Sequence, residues 1–379
     1  MVQSVYFHIP FCEQICYYCD FNKFFLKNQP VDEYLDDMAK EMENTVKRFS
    51  YSRMKTAFVG GGTPSVLNEK QFDRFFGAIH SNFKFEPGYE FTFEANPGSL
   101  DYDKLKALKE YGVNRLSIGV QAFQDELLKR IGRNHQENDI YENIELARQA
   151  GFNNISIDLM SGLPGQTLRM FKESLEKAKK LPIDHVSSYS LQIEPKTIFY
   201  NQMNAGTLHL PPEEEETAMF EELIKQMRDN GFIHYEISNF AKPGKESKHN
   251  LTYWDNNEYY GIGAGAHSYI DGVRRENAGP LKKYMLLVKK EGFPYFRENR
   301  LTLEQKMEEE MFMGLRKRTG VSKDIFYHKF GRTIDDVYGR AIDQLLKKGL
   351  ITIDNESVCL TEQGVFLGNE AFEAFLIDG

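Results

Sequence analysis

Strand-like and helix-like segments alternate along the first half of this 379-residue chain, and this alternation restricts the fold more than any other feature. The strand candidates are SVYFHI (4–9), MKTAFVG (54–60), YEFTFEA (89–95), RLSIGVQ (115–121), NISIDLM (154–160) and HVSSYSLQI (185–193). Amphipathic stretches lie between them, with apolar residues at helical spacing. Repeated strand–helix units build a parallel sheet, either open or closed as a barrel. Six strands are too few for a full eight-stranded barrel, so we predict an α/β fold with a partial (β/α)6 barrel.

The sequence changes character after about residue 295. Helical patterns there lead into ITIDNESVCL, which predicts a hairpin with its turn at Asp354-Asn355, and then into a last helix. This order predicts a smaller C-terminal helical, winged-helix-like domain, and its mixed charge favours a lid or docking role over DNA reading. We therefore predict a barrel over residues 1–235, a linker region over 236–295 and the C-terminal domain over 296–379.

Composition and charge argue against a nucleic-acid-binding protein and against a membrane-spanning one. The 47 basic residues minus the 56 acidic ones leave a net charge of −9, which argues against broad binding of nucleic acid. No apolar run approaches the ~20 residues that span a bilayer, and no signal peptide is visible. We therefore expect a cytoplasmic protein that does not bind nucleic acid.

Three of the four cysteines, Cys12, Cys16 and Cys19, form a C-x-x-x-C-x-x-C pattern. Disulfides are rare in the cytosol, and thiolates suit zinc or iron–sulfur clusters. Structural zinc sites usually have two separated ligand pairs, and no second pair exists here. A [4Fe–4S] cluster held by three thiolates would leave one iron open to a substrate or cofactor. A zinc site completed by His8 or Asp20, and three unrelated thiols, stay open as alternatives.

Polar or glycine elements follow five consecutive predicted strands. Cys12 follows the first strand and the glycines 60–62 follow the second, while Glu94, Gln121 and Asp158 close the next three. In (β/α) barrels the chemistry lies at the carboxyl ends of the strands. Glycines there permit close approach of the backbone to a ligand. The pattern therefore predicts one site at this end of the sheet.

The cysteine spacing, with Tyr18 just before the last cysteine, resembles the signature of radical S-adenosylmethionine (SAM) proteins. GGGTP (60–64) resembles the glycine motif of that superfamily. The resemblance implies that the amino and carboxylate groups of SAM bind the open iron of the cluster. It also implies an electron donor, because one electron from the cluster cleaves SAM to a 5′-deoxyadenosyl radical.

Longer segments are similar to the branch that holds the oxygen-independent coproporphyrinogen III oxidases and their relatives, the haem chaperones called HemW. These segments are YFHIPFC, FVGGGTPS, TFEANPG, RLSIGVQAF, DLMSGLPGQT, SLQIEPKT and YEISNFAKPG, so the resemblance covers nearly the full chain. The resemblance implies SAM contacts by Tyr6, Tyr18, Gly61, Gly62, Thr63, Glu94, Gln121, Arg133 and Asp158.

Two features separate the subfamilies. The oxidases carry a further cysteine two residues after the third ligand, where this chain has Phe21, and an N-terminal extension that covers the active site. The haem chaperones carry H-N-x-x-Y-W, and this chain has that motif at residues 249–254, inside the predicted linker region. Imidazole is a common ligand of haem iron, and aromatic rings pack on a macrocycle. The resemblance therefore implies haem contacts by His249, Asn250, Tyr253 and Trp254, with ordinary packing of these side chains as the alternative.

These features together predict a radical-SAM-fold haem chaperone that binds haem and transfers it to acceptor proteins of the respiratory chain. Its cofactors are predicted to be a [4Fe–4S] cluster, SAM and haem. An oxygen-independent coproporphyrinogen III oxidase and a structural zinc-binding protein are the rival interpretations. A transient association with the membrane surface stays open.

Overall fold

The computed structural model describes residues 1–377. In these residues the strands are β1 (Val2–Ile9), β2 (Phe11–Cys12), β3 (Phe24–Phe25), β4 (Tyr51–Gly61), β5 (Phe85–Ala95), β6 (Arg115–Gln121), β7 (Ile155–Ser161), β8 (His185–Ser190), β9 (Ile233–Glu236), β10 (Asn239–Ala241), β11 (Tyr260–Ile262), β12 (His267–Ile270), β13 (Val273–Asn277), β14 (Tyr295–Arg300), β15 (Val321–Ser322), β16 (Ile351–Ile353) and β17 (Ser357–Leu360). The α-helices are α1 (Val31–Arg48), α2 (Glu69–Asn82), α3 (Tyr102–Glu110), α4 (Asp125–Arg130), α5 (Glu137–Gln149), α6 (Leu168–Ala178), α7 (Ile198–Asn204), α8 (Glu213–Asp229), α9 (Lys248–Trp254), α10 (Leu281–Glu291), α11 (Leu303–Gly314), α12 (Lys323–Phe330), α13 (Ile334–Lys347), α14 (Glu362–Phe366) and α15 (Gly368–Glu373).

The six predicted strands form the centre of a nine-stranded sheet, in the order β11-β1-β4-β5-β6-β7-β8-β10-β9. Every pairing from β1 through β8 in this sheet is parallel. The central strands are largely buried on both faces, and every residue of β6 is buried although polar residues alternate with apolar ones along it. The predicted α/β fold with a parallel central sheet is confirmed. Within residues 1–377 the strand order stays linear, and β11 does not pair with β9.

The register of the central strands brings their carboxyl ends to one edge of the sheet. Ile9 on β1 lies opposite Gly61 on β4, and Asp158 on β7 lies opposite Ser187 on β8. Side chains and loops that follow these positions therefore meet at the same end of the fold, where the sequence predicts a site.

The sheet also contains three short strands that the sequence analysis does not predict. β11 pairs in parallel with β1, while β10 and β9 continue the other edge with antiparallel pairing. Strands of three or four residues are too short for a periodic pattern to reveal them. Residues 236–295, predicted as a linker region, thus contribute β10 and β11 to the main sheet, and the division into domains stays a prediction.

The C-terminal part has a hydrophobic core of its own, formed by residues between Met307 and Phe375. The predicted hairpin is present, because β16 and β17 pair in antiparallel fashion and β15 adds a third strand. Helices α11, α12 and α13 precede this hairpin, in agreement with a helical, winged-helix-like part. The last two residues of the predicted range 296–379 lie outside the described residues. No helix among residues 1–377 has the length and apolar character needed to cross a membrane.

Candidate cofactor site

The carboxyl ends of the central strands surround a cavity of about 510 Å³. Eleven of the twelve residues predicted to hold the cluster or SAM line this cavity: Cys12, Cys16, Tyr18, Cys19, Gly61, Gly62, Thr63, Glu94, Gln121, Arg133 and Asp158. The twelfth, Tyr6, lies deeper on β1, where its hydroxyl bonds to His8 Nδ1 at 2.9 Å and its ring packs against Phe58, which does line the cavity. The structure therefore brings the predicted set together around one space.

The cysteine loop is held to the sheet by backbone and side-chain hydrogen bonds. β2 and β3 close its base by parallel pairing. Asn22 Nδ2 donates to the Ala264 carbonyl at 2.8 Å, and the Asn22 carbonyl lies 2.8 Å from His8 Nε2. Near the middle of the loop, Tyr17 N–H donates to the Ile131 carbonyl at 3.0 Å. The loop is thus fixed by β1, by the segment after β11 and by the end of α4.

Burial affects the pKa of two of the three thiols, the buried Cys12 and the half-buried Cys19. Cys12 is 7% exposed, and its sulfur accepts a hydrogen bond from Thr63 Oγ1 at 3.6 Å. Burial raises the pKa of Cys12 to about 11 and also raises the pKa of Cys19. Without a metal these two thiols therefore hold their protons at neutral pH, and metal binding would release those protons.

His8, one of two residues considered as a fourth zinc ligand, is already engaged. Its two ring nitrogens contact the Tyr6 hydroxyl and the Asn22 carbonyl, and the ring is 6% exposed. Asp20, the other residue considered, lines the cavity. Within residues 1–377, no three His, Cys, Asp or Glu side chains converge in a group that could hold one metal ion.

Two half-buried carboxyl groups face the cavity from β5 and β7, the strands on either side of β6. Glu94 accepts a hydrogen bond from Gly61 N–H at 3.2 Å, and burial together with the like charge of Asp158 raises its pKa to about 7. Asp158 accepts from Ser117 Oγ at 3.3 Å, and burial raises its pKa as well. Carboxyl groups whose pKa is raised by burial and by a neighbouring like charge are typical of a ligand site.

Two guanidinium groups complete the polar lining. Arg133 donates to Tyr18 Oη at 3.1 Å and also to Asn96 Oδ1, while its Nε has no hydrogen-bond partner among the described residues. Arg115 is 2% exposed and its Nε is also unpartnered there. Buried donors normally have partners. These two therefore point to a polar group that the protein itself does not provide.

Several lining residues were not singled out by the sequence analysis: Asn96, Arg115, Ser117, Gly119, Ser187 and Tyr189. Among them, Gly119 leaves room for its polar neighbours. A Cβ there would lie 2.9 Å from Gln121 Nε2 and 3.2 Å from both Arg133 and Asn96. A glycine inside an otherwise buried strand indicates such a close approach. Its neighbour Gln121 adopts φ +65, an uncommon conformation for a residue with a side chain.

The four residues predicted to contact haem do not share one surface. All four lie on α9, but only Asn250 lines the cavity. His249 is 1% exposed, and its Nδ1 and Nε2 lie 2.8 Å from Thr56 Oγ1 and Tyr253 Oη respectively. Trp254 packs on the opposite side against Arg316, whose guanidinium carbon lies 4.3 Å from the indole centroid. In this arrangement the His249 ring has no nitrogen free for iron.

Comparison with known proteins shows the family of this chain. The model of the radical SAM superfamily matches residues 6–178, and the model of the HemN C-terminal domain matches residues 301–367. The protein called heme chaperone HemW of Bacillus subtilis (strain 168) is 52% identical over 376 residues, which are 99% of this chain and 99% of that protein. This chain belongs to the HemW family. The HemW protein of Escherichia coli (strain K12) is 32% identical over 99% of this chain and 98% of its own length.

A solved structure shows how far the HemW architecture is shared. The coproporphyrinogen III oxidase HemN from Escherichia coli, described as a radical SAM enzyme, is 26% identical. It superposes with a TM-score of 0.87 over 98% of this chain and 89% of its own chain. Membership of the HemW family within the radical SAM superfamily implies a [4Fe–4S] cluster and SAM as cofactors.

Proposed function

We propose that this chain is a haem chaperone, which binds haem and transfers it to acceptor proteins. The observation that carries the proposal is the 52% identity to a protein named heme chaperone HemW, which extends over 99% of both chains. Haem-containing proteins of the respiratory chain are the proposed acceptors, the cytoplasm is the proposed location, and a separate protein is proposed to supply electrons to the cluster.

The cavity fits the two cofactors that the family implies. Cys12, Cys16 and Cys19 would hold a [4Fe–4S] cluster, and three thiolates leave one iron without a protein ligand. SAM would occupy the polar part of the cavity, where the two carboxyls and the unpartnered guanidinium donors suit a ligand with both cationic and anionic groups. When bound together, the cluster and SAM supply one-electron cleavage of SAM.

Haem is proposed to approach at the mouth of the same cavity. Phe21 and Tyr189 line it and are 63% and 43% exposed, so two aromatic rings are available to a flat macrocycle. Asn250 contributes the contact from α9. Ligation of haem iron by His249 stays a prediction. It requires the ring to leave its hydrogen bonds to Thr56 and Tyr253.

The raised pKa of Glu94 predicts a pH dependence for SAM binding. A folded-state pKa of about 7 means that the carboxyl holds a proton below that pH. The cationic part of SAM prefers the ionised form, so affinity should rise with pH through 7 and level off above 8. Below pH 7 we expect a loss approaching tenfold per pH unit. Anaerobic calorimetric titrations between pH 6 and 8.5 measure the affinity for SAM. In the control variant Glu94→Gln, this affinity should not change with pH. A pH-independent affinity in the wild-type protein would contradict the placement of SAM beside Glu94.

A coproporphyrinogen III oxidase is the second candidate, and the full-length superposition with HemN favours it. The oxidase would abstract a hydrogen from each of two propionate side chains and release carbon dioxide. One sequence difference favours the chaperone instead: Phe21 stands where the oxidases have a further cysteine. Phe21 lies on the lining of the cavity, so this difference falls where a tetrapyrrole would contact the protein.

The two candidates predict different results in one anaerobic experiment. With reconstituted cluster, reductant, SAM and coproporphyrinogen III, we expect no protoporphyrinogen IX by chromatography. A parallel titration with haem should produce a saturable Soret band, because haem is the proposed cargo. Turnover to protoporphyrinogen IX would establish the oxidase instead, and the absence of both turnover and haem binding would exclude both candidates.

A further inference from the structure

The helix α9 packs against β4, a strand that contributes Phe58 to the cavity wall. Thr56 and Phe58 are two residues apart on β4, so their side chains point to the same face of the sheet. Phe58 lines the cavity, and the His249 ring packs against the Phe58 ring with 5.2 Å between centroids and 32° between planes. His249 therefore supports the side chain that forms part of the cavity wall.

The orientation of the His249 ring is determined at both nitrogens. Thr56 Oγ1 lies 2.8 Å from Nδ1, and Tyr253 Oη lies 2.8 Å from Nε2. Burial, followed by the nearby charge of Arg115, lowers the pKa of His249 to about 3, so the ring is neutral. A neutral ring has one donor and one acceptor, and both are used here. The ring thus cannot rotate without losing a buried hydrogen bond.

The same helix is anchored at both of its ends. The Glu90 carboxylate accepts hydrogen bonds at 3.0 Å from the backbone N–H groups of Lys248 and His249. The opposite end of α9 carries Trp254, which packs against Arg316 of the C-terminal part, and Asp255, which forms an ion pair with Lys317. Asn250, the one member of the motif that lines the cavity, projects from this anchored helix.

We propose that His249 is a positioning residue for the cavity, which holds the Phe58 ring and the Asn250 side chain where the bound ligand needs them. The proposal rests on the proposed SAM site. It assigns the H-N-x-x-Y-W motif two tasks, one cavity contact through Asn250 and one internal support through His249 and Tyr253. When a supporting hydroxyl is lost, the helix and ring sample other arrangements, and affinity falls by the fraction of competent molecules.

Two single substitutions test this role without removing the histidine, and two more serve as controls. Thr56→Val and Tyr253→Phe each delete one hydroxyl that bonds to His249 and keep nearly the same volume. Ser156→Ala is the matched control, because Ser156 Oγ lies 2.8 Å from Nδ1 of another fully buried histidine, His185, which does not line the cavity. Thr56→Ser retains the hydroxyl and serves as the rescue variant.

The readout is the change that SAM causes in the electron paramagnetic resonance spectrum of the reduced cluster, titrated to obtain an affinity. We expect Thr56→Val and Tyr253→Phe to weaken SAM binding by about three- to tenfold, the range of one lost hydrogen bond. Ser156→Ala and Thr56→Ser should match the wild-type protein. Iron content should stay unchanged in all four variants.

The outcomes separate this proposal from the proposed function. Wild-type protein that does not respond to SAM would overturn the SAM site and this role together. Normal SAM affinity in Thr56→Val and Tyr253→Phe, or an equal loss in Ser156→Ala, would overturn the positioning role alone. Tighter haem binding or a shifted Soret band in Tyr253→Phe would also overturn it, because freeing Nε2 would then have released a haem ligand.

Discussion

Replacement of any one of Cys12, Cys16 and Cys19 by serine should abolish the iron–sulfur cluster. Anaerobic reconstitution of the wild-type protein should give about four irons and four sulfides per chain, with broad visible absorption. A serine hydroxyl is a harder and much less acidic ligand than a thiol, and the loop contains no other cysteine to replace it. Each variant should therefore contain well under one iron per chain, measured by iron and sulfide analysis.

Cys359→Ser is the matched control for this experiment. Cys359 lies on β17 in the C-terminal part, where its sulfur is 3.3 Å from Ser357 Oγ, and it does not line the cavity. This variant should keep the full iron and sulfide content. Stoichiometric zinc in the wild-type protein would contradict the cluster and favour the zinc site instead. Normal iron content in any of the three loop variants would contradict the assignment of that cysteine as a cluster ligand.

Gly61→Ala should abolish the spectroscopic response to SAM and destabilise the protein by about 2–4 kcal/mol. Gly61 adopts φ +115, which side chains rarely allow, and a Cβ would lie 2.5 Å from Cε1 of His8. His8 cannot yield freely, because its ring nitrogens hold Tyr6 and the cysteine loop at Asn22. Urea denaturation measures the loss of stability, and the electron paramagnetic resonance titration measures the loss of SAM binding.

Two other glycine substitutions serve as comparisons for the effects of Gly61→Ala on stability and SAM binding. Gly77 is exposed in α2, and a Cβ there has no neighbour within 4 Å, so Gly77→Ala should stabilise the protein by about 0.5–1 kcal/mol and leave SAM binding unchanged. Gly60→Ala places its Cβ 2.6 Å from Glu94 Oε2, the end of a side chain that is able to shift. It should therefore weaken SAM binding with little loss of stability. Equal stability and equal SAM binding in Gly61→Ala and Gly77→Ala would contradict the placement of Gly61 at the SAM site.

The long-range contacts of the glycine motif explain why its role was only partly predictable. The sequence indicates close backbone approach at residues 60–62. A Cβ on Gly62 would lie 2.7 Å from the Phe11 carbonyl oxygen, and one on Gly61 would meet His8. These neighbours belong to the chain itself rather than to a ligand. The glycines therefore allow the end of β4 to pack closely against the start of the cysteine loop. They also leave space for SAM.

The six central strands, their parallel arrangement and the edge of the sheet that carries the cavity could all be predicted from the sequence. Strand periodicity depends on local alternation of apolar residues, and the carboxyl ends of parallel strands must share one edge, so both follow from short-range patterns. Cys12, Glu94, Gln121 and Asp158 lie around one cavity at that edge for this reason.

Which side chains of the 249–254 segment reach the cavity depends on tertiary packing and could not be predicted from the motif. Successive residues of an α-helix point about 100° apart, so His249 and Asn250 cannot face the same surface. The packing of α9 between β4 and the C-terminal part directs Asn250 to the cavity and buries His249 between Thr56 and Tyr253. A motif shows which residues occur together, but their directions depend on contacts with β4, nearly 200 residues earlier in the chain.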